Sequence, residues 1–115
     1  MRTIGYLRVS TAKQETEKNK AAILTMANDL SLGKVEFVEE VVSGTIDWKK
    51  RKLGDVLEEL ELGDNIVVPE LSRLGRSTLG ILEILKMAKS KSINVFSVKV
   101  RWQMDDSIQS KILSP

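Results

Sequence analysis

Apolar and polar positions along the chain fall into short apolar runs that alternate with amphipathic stretches. Residues 3–9 (TIGYLRV) read as a short buried strand that opens into a loop at Ser10-Thr11. Across residues 15–32, Ala22, Ile23, Met26, Ala27 and Leu30 recur at helical spacing, and Gly33 stands where a C-terminal cap is expected. Residues 35–42 are rich in β-branched side chains and read as a second strand, ended by Ser43-Gly44. Leu53, Val56, Leu57 and Leu60 outline a second amphipathic helix closed by Gly63-Asp64, and residues 65–69 form the third strand.

Residues 71–77 make a polar, arginine-bearing turn, after which Leu79, Leu82, Ile84, Leu85 and Ala88 mark a third helix. Residues 93–98 read as a fourth strand, residues 100–104 as a short edge strand and residues 105–113 as the start of a last helix. No repeat, low-complexity stretch or linker interrupts this order. Strands alternating with helices of this length predict right-handed βαβ units. The expected fold is therefore α/β: three layers, with a four- to five-stranded, mostly parallel sheet and helices on both faces. In such sheets ligands gather beyond the carboxyl ends of the strands. That geometry brings Ser10-Thr11, Ser43-Gly44 and the turn at residues 71–77 to one rim.

Composition narrows the chemistry more than it describes the fold. A chain of 115 residues suits one domain. It contains no Cys and no His, which excludes disulfides, thiolate nucleophiles, the usual general base and the usual zinc ligands. Chemistry must then use hydroxyls, carboxylates, Lys or Arg, and no metal or cofactor is expected. A net charge of +2 is weak evidence for a nucleic-acid partner, so any basic cluster has to be local. No apolar run approaches the ~20 residues of a membrane helix. The N-terminus does not resemble a signal peptide, and the expected location is cytoplasmic, away from membranes.

Three segments carry candidate chemistry. Period-two alternation places Tyr6, Arg8 and Ser10 on one side of the first strand, with Arg8 and Ser10 roughly 7 Å apart. An arginine within an apolar strand is costly unless a carboxylate or another anion meets it. A salt bridge for Arg8, a capping or turn role for Ser10 and core packing for Tyr6 are the ordinary alternatives. In the second segment, a helical turn would set Arg73 and Arg76 on one face. Gly75 between them would let backbone approach a ligand. Paired guanidiniums match phosphate oxygens in bidentate fashion, whereas a solvated basic turn is the plain alternative. In the third, Lys49, Lys50, Arg51 and Lys52 run into a helix whose dipole disfavours cations, a cost that a negatively charged partner offsets, with a solvated basic surface run as the plain alternative.

Tyr6-Leu7-Arg8-Val9-Ser10-Thr11 is similar to the Tyr-x-Arg-Val-Ser signature of serine recombinases of the resolvase/invertase family. Gln14, Ser43-Gly44, the basic residue ahead of Leu53, Gly63-Asp64 and Leu71-x-Arg73-Leu74-x-Arg76 recur in that family's order and approximate spacing. The resemblance extends over essentially the whole chain. It implies that Ser10 attacks a DNA phosphate to give a 5′-phosphoserine link and a free 3′-hydroxyl. Strands are then exchanged within a tetramer, and the hydroxyls attack the phosphoserines to reseal the DNA without ATP. By the same resemblance, Arg8, Arg73 and Arg76 bind the phosphate. A further family arginine falls at Lys50 or Arg51, and guanidinium geometry favours Arg51. Tyr6, Gln14, Ser43 and Ser72 fall at supporting positions, and the implied partners are double-stranded DNA and further copies of the chain, as homodimer and tetramer.

Two departures qualify the resemblance. Many members carry Asp directly before the first arginine of the turn, where this chain has Ser72. Members also continue into a long dimerisation helix and a helix-turn-helix domain. This sequence stops near the expected start of that helix, so weak, salt-sensitive DNA binding without sequence preference is expected. An inactive remnant acting as regulator or passive partner is one alternative. A flavodoxin-like binding domain is a more distant one, and the chain has no G-x-G-x-x-G, P-loop lysine or acidic Mg²⁺ cluster to support it.

Overall fold

The computed structural model describes residues 1–8, 13–41, 51–75, 77–99, 102–104 and 111–112. Its strands are β1 (Thr3–Arg8), β2 (Val35–Glu40), β3 (Asn65–Val68), β4 (Asn94–Ser97), β5 (Trp102–Met104) and β6 (Lys111–Ile112). The helices are α1 (Lys13–Asp29), α2 (Lys52–Glu59) and α3 (Thr78–Ser90), with a single 3₁₀ turn at Leu71–Arg73. One sheet runs in the order β2-β1-β3-β4-β5-β6. Its first four strands are parallel, and β5 and β6 add antiparallel pairs.

The sheet therefore has six strands where four to five were expected. The extra one is β6, and it corrects the last predicted helix: Lys111 and Ile112 pair with Gln103 and Trp102. So short a segment follows the strand edge open beside it, which periodicity cannot register. Residues 105–110 and 113, the rest of that predicted helix, lie outside the described residues.

Side-chain alternation sorts the core onto two faces. Ile4 and Tyr6 of β1, Ile66 and Val68 of β3 and Val95 of β4 pack against Leu53, Val56 and Leu57 of α2 and Ile84 and Ala88 of α3. On the other face Leu7, Val67 and Phe96 meet Ile23, Met26 and Ala27 of α1. Gly5 belongs to that second face, where a Cβ would come within 2.8 Å of the Phe37 ring. Helices on both faces make the three expected layers.

α1 and α3 end in the same way. Leu32 N–H bonds Ala27 O and Ser31 N–H bonds Asn28 O, while Ile93 and Ser92 make the equivalent bonds to Ala88 and Lys89. Both are Schellman closures whose left-handed residue is a serine, Ser31 at φ 55° and Ser92 at φ 58°. The cap expected at Gly33 thus falls two residues earlier, and Gly33 at φ 82° serves the turn into β2.

At the amino end of the sheet, buried polar groups form a chain across three strands. Asn94 Nδ2 donates to Asn65 Oδ1, Asn65 Nδ2 to Thr3 Oγ1, and Thr3 Oγ1 to Leu32 O. Every link fixes one relative position of β1, β3 and β4, because a slip would strand buried donors. The carboxyl end is where the candidate chemistry lies.

Candidate active site

Four parallel strands deliver their ends to one rim. β1 ends in Arg8 and β2 in Glu40, and these two residues are register partners. β3 leads through Pro69-Glu70 into the 3₁₀ turn bearing Arg73, and β4 leads to Lys99. Arg51, the residue before α2, lies under this rim with 5% of its surface exposed.

Glu40 organises the first part of the site. The Tyr6 hydroxyl donates to its Oε1 at 2.6 Å, and the Lys52 backbone N–H donates to its Oε2 at 2.6 Å. Lys52 Nζ donates to the neighbouring Glu39 carbonyl. A buried carboxylate at the first turn of α2 thus supplies negative charge where the basic run meets the helix dipole. Burial, then the hydrogen bond to Glu40 and the Glu40 charge, push the Tyr6 phenol well above its ordinary pKa, against the opposing charges of Arg51 and Arg8. Tyr6 is accordingly a neutral donor at physiological pH.

Two arginines beside this pair have buried donors with no acceptor among the described residues. Arg51 Nη2 donates to the Leu74 carbonyl at 2.8 Å, but its Nε and Nη1, and Nη1 of Arg8, have no hydrogen-bond partner among the described residues. Leaving a buried donor unsatisfied costs about 1–3 kcal/mol, and more for a charged group. Here several guanidinium N–H groups from two elements bear that cost at the carboxyl end of one sheet. A tetrahedral oxyanion satisfies such donors, since guanidinium forks match its oxygens.

Arg73 stands on the next turn and is engaged differently. Its Nε lies 3.6 Å from Glu70 Oε1 and its Nη2 lies 3.5 Å from Glu15 Oε1, in the first turn of α1. Lys99 Nζ reaches Glu70 Oε2 at 3.3 Å. Hydrogen bonding from Ser72, outweighing partial burial and joined by Lys99 and Arg73, holds the Glu70 carboxyl below its usual range. The Leu74 carbonyl that accepts from Arg51 couples this turn to the first cluster.

Of the sequence candidates, Tyr6, Arg8 and Arg51 come together, and Arg73 lies on the adjoining turn. Gln14 is exposed in the first turn of α1 next to Glu15, and Ser72 is exposed on the turn while bonded to Glu70. Ser10, Ser43, Lys50 and Arg76 lie outside the described residues. Gly75 is buried, and a Cβ there would meet the Ile81 backbone nitrogen at 3.4 Å, at the edge of ordinary contact. Sequence reading missed Glu40, Glu70, Glu15 and Lys99.

Among the described residues, no group of three or more acidic or other metal-ligating side chains converges. No helix among them is long and apolar enough to cross a membrane.

Comparison with known proteins identifies the architecture. The family described as "Resolvase, N terminal domain" matches residues 3–114. A resolvase of Clostridium perfringens (strain 13 / Type A) is 33% identical over 99 residues, covering 86% of this chain and 50% of its own length. The transposon Tn1546 resolvase of Enterococcus faecium is 32% identical, covering 89% of this chain and 50% of its own. The serine recombinase gin of Escherichia phage Mu is 33% identical over 83% of this chain and 46% of its own. The chain thus spans about half the length of the curated relatives it matches. The N-terminal catalytic domain of TP901-1 integrase shares the fold at a TM-score of 0.69 and 19% identity, over 94% of this chain and 84% of that one. The flavodoxin-like alternative is set aside by the family match. The chain belongs to the resolvase family of serine recombinases and corresponds to that family's N-terminal, catalytic domain.

Proposed function

We propose that this domain cuts and rejoins DNA in site-specific recombination, with Ser10 as the nucleophile. The Ser10 oxygen bonds to the scissile phosphorus as the bond to the 3′ oxygen breaks, leaving a 5′-phosphoserine link. The 3′ oxygen gains a proton, and the serine proton passes to water or a neighbouring carboxylate. After strand exchange a 3′-hydroxyl attacks the phosphoserine, and the same bonds form and break in reverse. The phosphodiester energy is held in the covalent link, so no nucleotide cofactor is consumed.

The observation that carries this reading is the set of buried guanidinium donors on Arg8 and Arg51 that have no partner among the described residues. Arg8 is two residues before Ser10, and phosphoryl transfer needs chiefly positioning and charge stabilisation. In this reading Arg8, Arg51, Arg73 and Arg76 bind the phosphate, and Lys50 adds a contact to the DNA backbone. Tyr6 and Glu40 hold the entrance to α2 in place, and Gln14, Ser43 and Ser72 support the site. The partner is double-stranded DNA, the working assemblies in a full-length context are a homodimer and a tetramer, and the setting is the cytoplasm.

The test is cleavage of a nicked or mismatched duplex followed by denaturing electrophoresis. A covalent protein–DNA adduct that is lost in Ser10→Ala supports the reading. Absence of any adduct from the unmodified chain, alone or fused to a dimerisation helix and a DNA-binding domain, counts against it.

A further inference from the structure

We infer that Glu70 is a positioning residue for Arg73: it holds the Nε edge of the guanidinium so that the opposite edge faces the DNA phosphate. This rests on the recombinase reading above. Glu70 stands two residues past the end of β3, and its backbone carbonyl accepts from Arg73 N–H at 3.0 Å, closing the turn. The same residue reaches Arg73 a second time through its side chain, with Oε1 3.6 Å from Nε. Its other oxygen meets Lys99 Nζ at 3.3 Å, and Ser72 on the same turn helps hold the carboxyl below its usual range.

The Glu70 carboxylate, 31% exposed, contacts both Arg73 Nε and Lys99 Nζ, one through each oxygen. Glu15 is the contrasting partner: 59% exposed, with one ion pair to Nη2 at 3.5 Å. A phosphate approaching Arg73 displaces Glu15 and leaves Glu70 in place. Ser72 cannot supply a negative charge to Arg73, so Glu70 does so from two residues earlier.

The test follows the Arg73 Nε–H resonance by ¹⁵N NMR in the unmodified chain, Glu70→Gln and Glu70→Gln/Ser72→Asp, with and without a short duplex. Covalent adduct formation and duplex affinity are measured on the same proteins. Solvent exchange at Arg73 Nε–H should accelerate roughly tenfold in Glu70→Gln. Adduct formation should fall roughly 10- to 100-fold. Duplex affinity should hold or rise, because a negative charge has left a DNA-facing rim. Restoring a carboxylate with Ser72→Asp should recover both the slow exchange and the rate.

Unchanged Arg73 exchange in Glu70→Gln overturns the inference. So does an adduct rate that rises together with affinity, which is the behaviour of a merely repulsive charge. Failure of the unmodified chain to form adduct refutes the recombinase reading instead, and the exchange measurement decides the role of Glu70 independently.

Discussion

The Tyr6 hydroxyl and the Glu40 carboxylate, 34 residues apart in sequence, meet at 2.6 Å where β1 and β2 end. Glu40 also receives Lys52 N–H, so one buried carboxylate ties two strands to the start of α2 and sets the backbone from which Arg51 projects. Tyr6→Phe should cost about 1–3 kcal/mol, because it leaves a buried carboxylate oxygen without its donor. Glu40→Ala, which strands both donors, should cost more. Urea denaturation reads both as lower midpoints at constant slope. A Tyr6→Phe protein as stable as the unmodified chain would contradict this bond's role.

Arg51 should trade stability for binding. Its buried Nε and Nη1 lack partners among the described residues, so Arg51→Met should match or exceed the unmodified chain in stability despite losing the bond to Leu74. Phosphate or sulfate should stabilise the unmodified chain by about 1 kcal/mol at roughly five times its Kd, and Arg51→Met much less. Calorimetric melting across an anion series checks both statements. Equal anion stabilisation of the two proteins would remove Arg51 from the site.

Acid should weaken the fold partly through Asp64. Burial opposes its ionisation, but the Arg2 and Glu61 backbone N–H groups, at 2.9 and 2.8 Å, hold the carboxyl below its ordinary pKa. A group whose pKa is lower in the folded state stabilises fully above the unfolded value and loses that contribution as pH falls through the folded one. Stability should therefore decline below the ordinary carboxylate range, and Asp64→Asn should show a shallower decline from a lower starting point. Parallel curves for the two proteins from pH 7 to pH 2 would exclude this contribution.

The serine caps offer a gain. Ser31 and Ser92 occupy left-handed positions that glycine adopts without a Cβ penalty. Ser31→Gly and Ser92→Gly should each stabilise by about 0.5–1 kcal/mol, and additively, since they close different helices. Thermal melts of the single and double variants test this.

The βαβ order was legible because each element carries its own period, and parallel topology then fixed which loops share a rim. Arg8 could be singled out as a costly cation in an apolar strand, whereas Arg51 stands out from the basic run at residues 49–52 only through the family resemblance. Glu40 could not, because β2 holds three glutamates in six residues and reads as a solvated edge; only its register with Arg8 and its contact with Tyr6 reveal burial. Glu70 and Lys99 are likewise distant in sequence, and their meeting depends on β3 pairing with β4. The strand at Lys111–Ile112 was illegible for a related reason: two residues carry no period, and the edge of β5 decides their pairing.

The central claim is that Ser10 is the nucleophile served by this arginine-lined rim. Its most direct test is tandem mass spectrometry of the protease-digested adduct formed on a nicked duplex. A single nucleotide-bearing peptide is expected, with the phosphodiester on the Ser10 oxygen, joined to the 5′ end of the cleaved strand. Attachment at Thr11, Ser43, Ser72 or Ser77, or a link to the 3′ end, would contradict it.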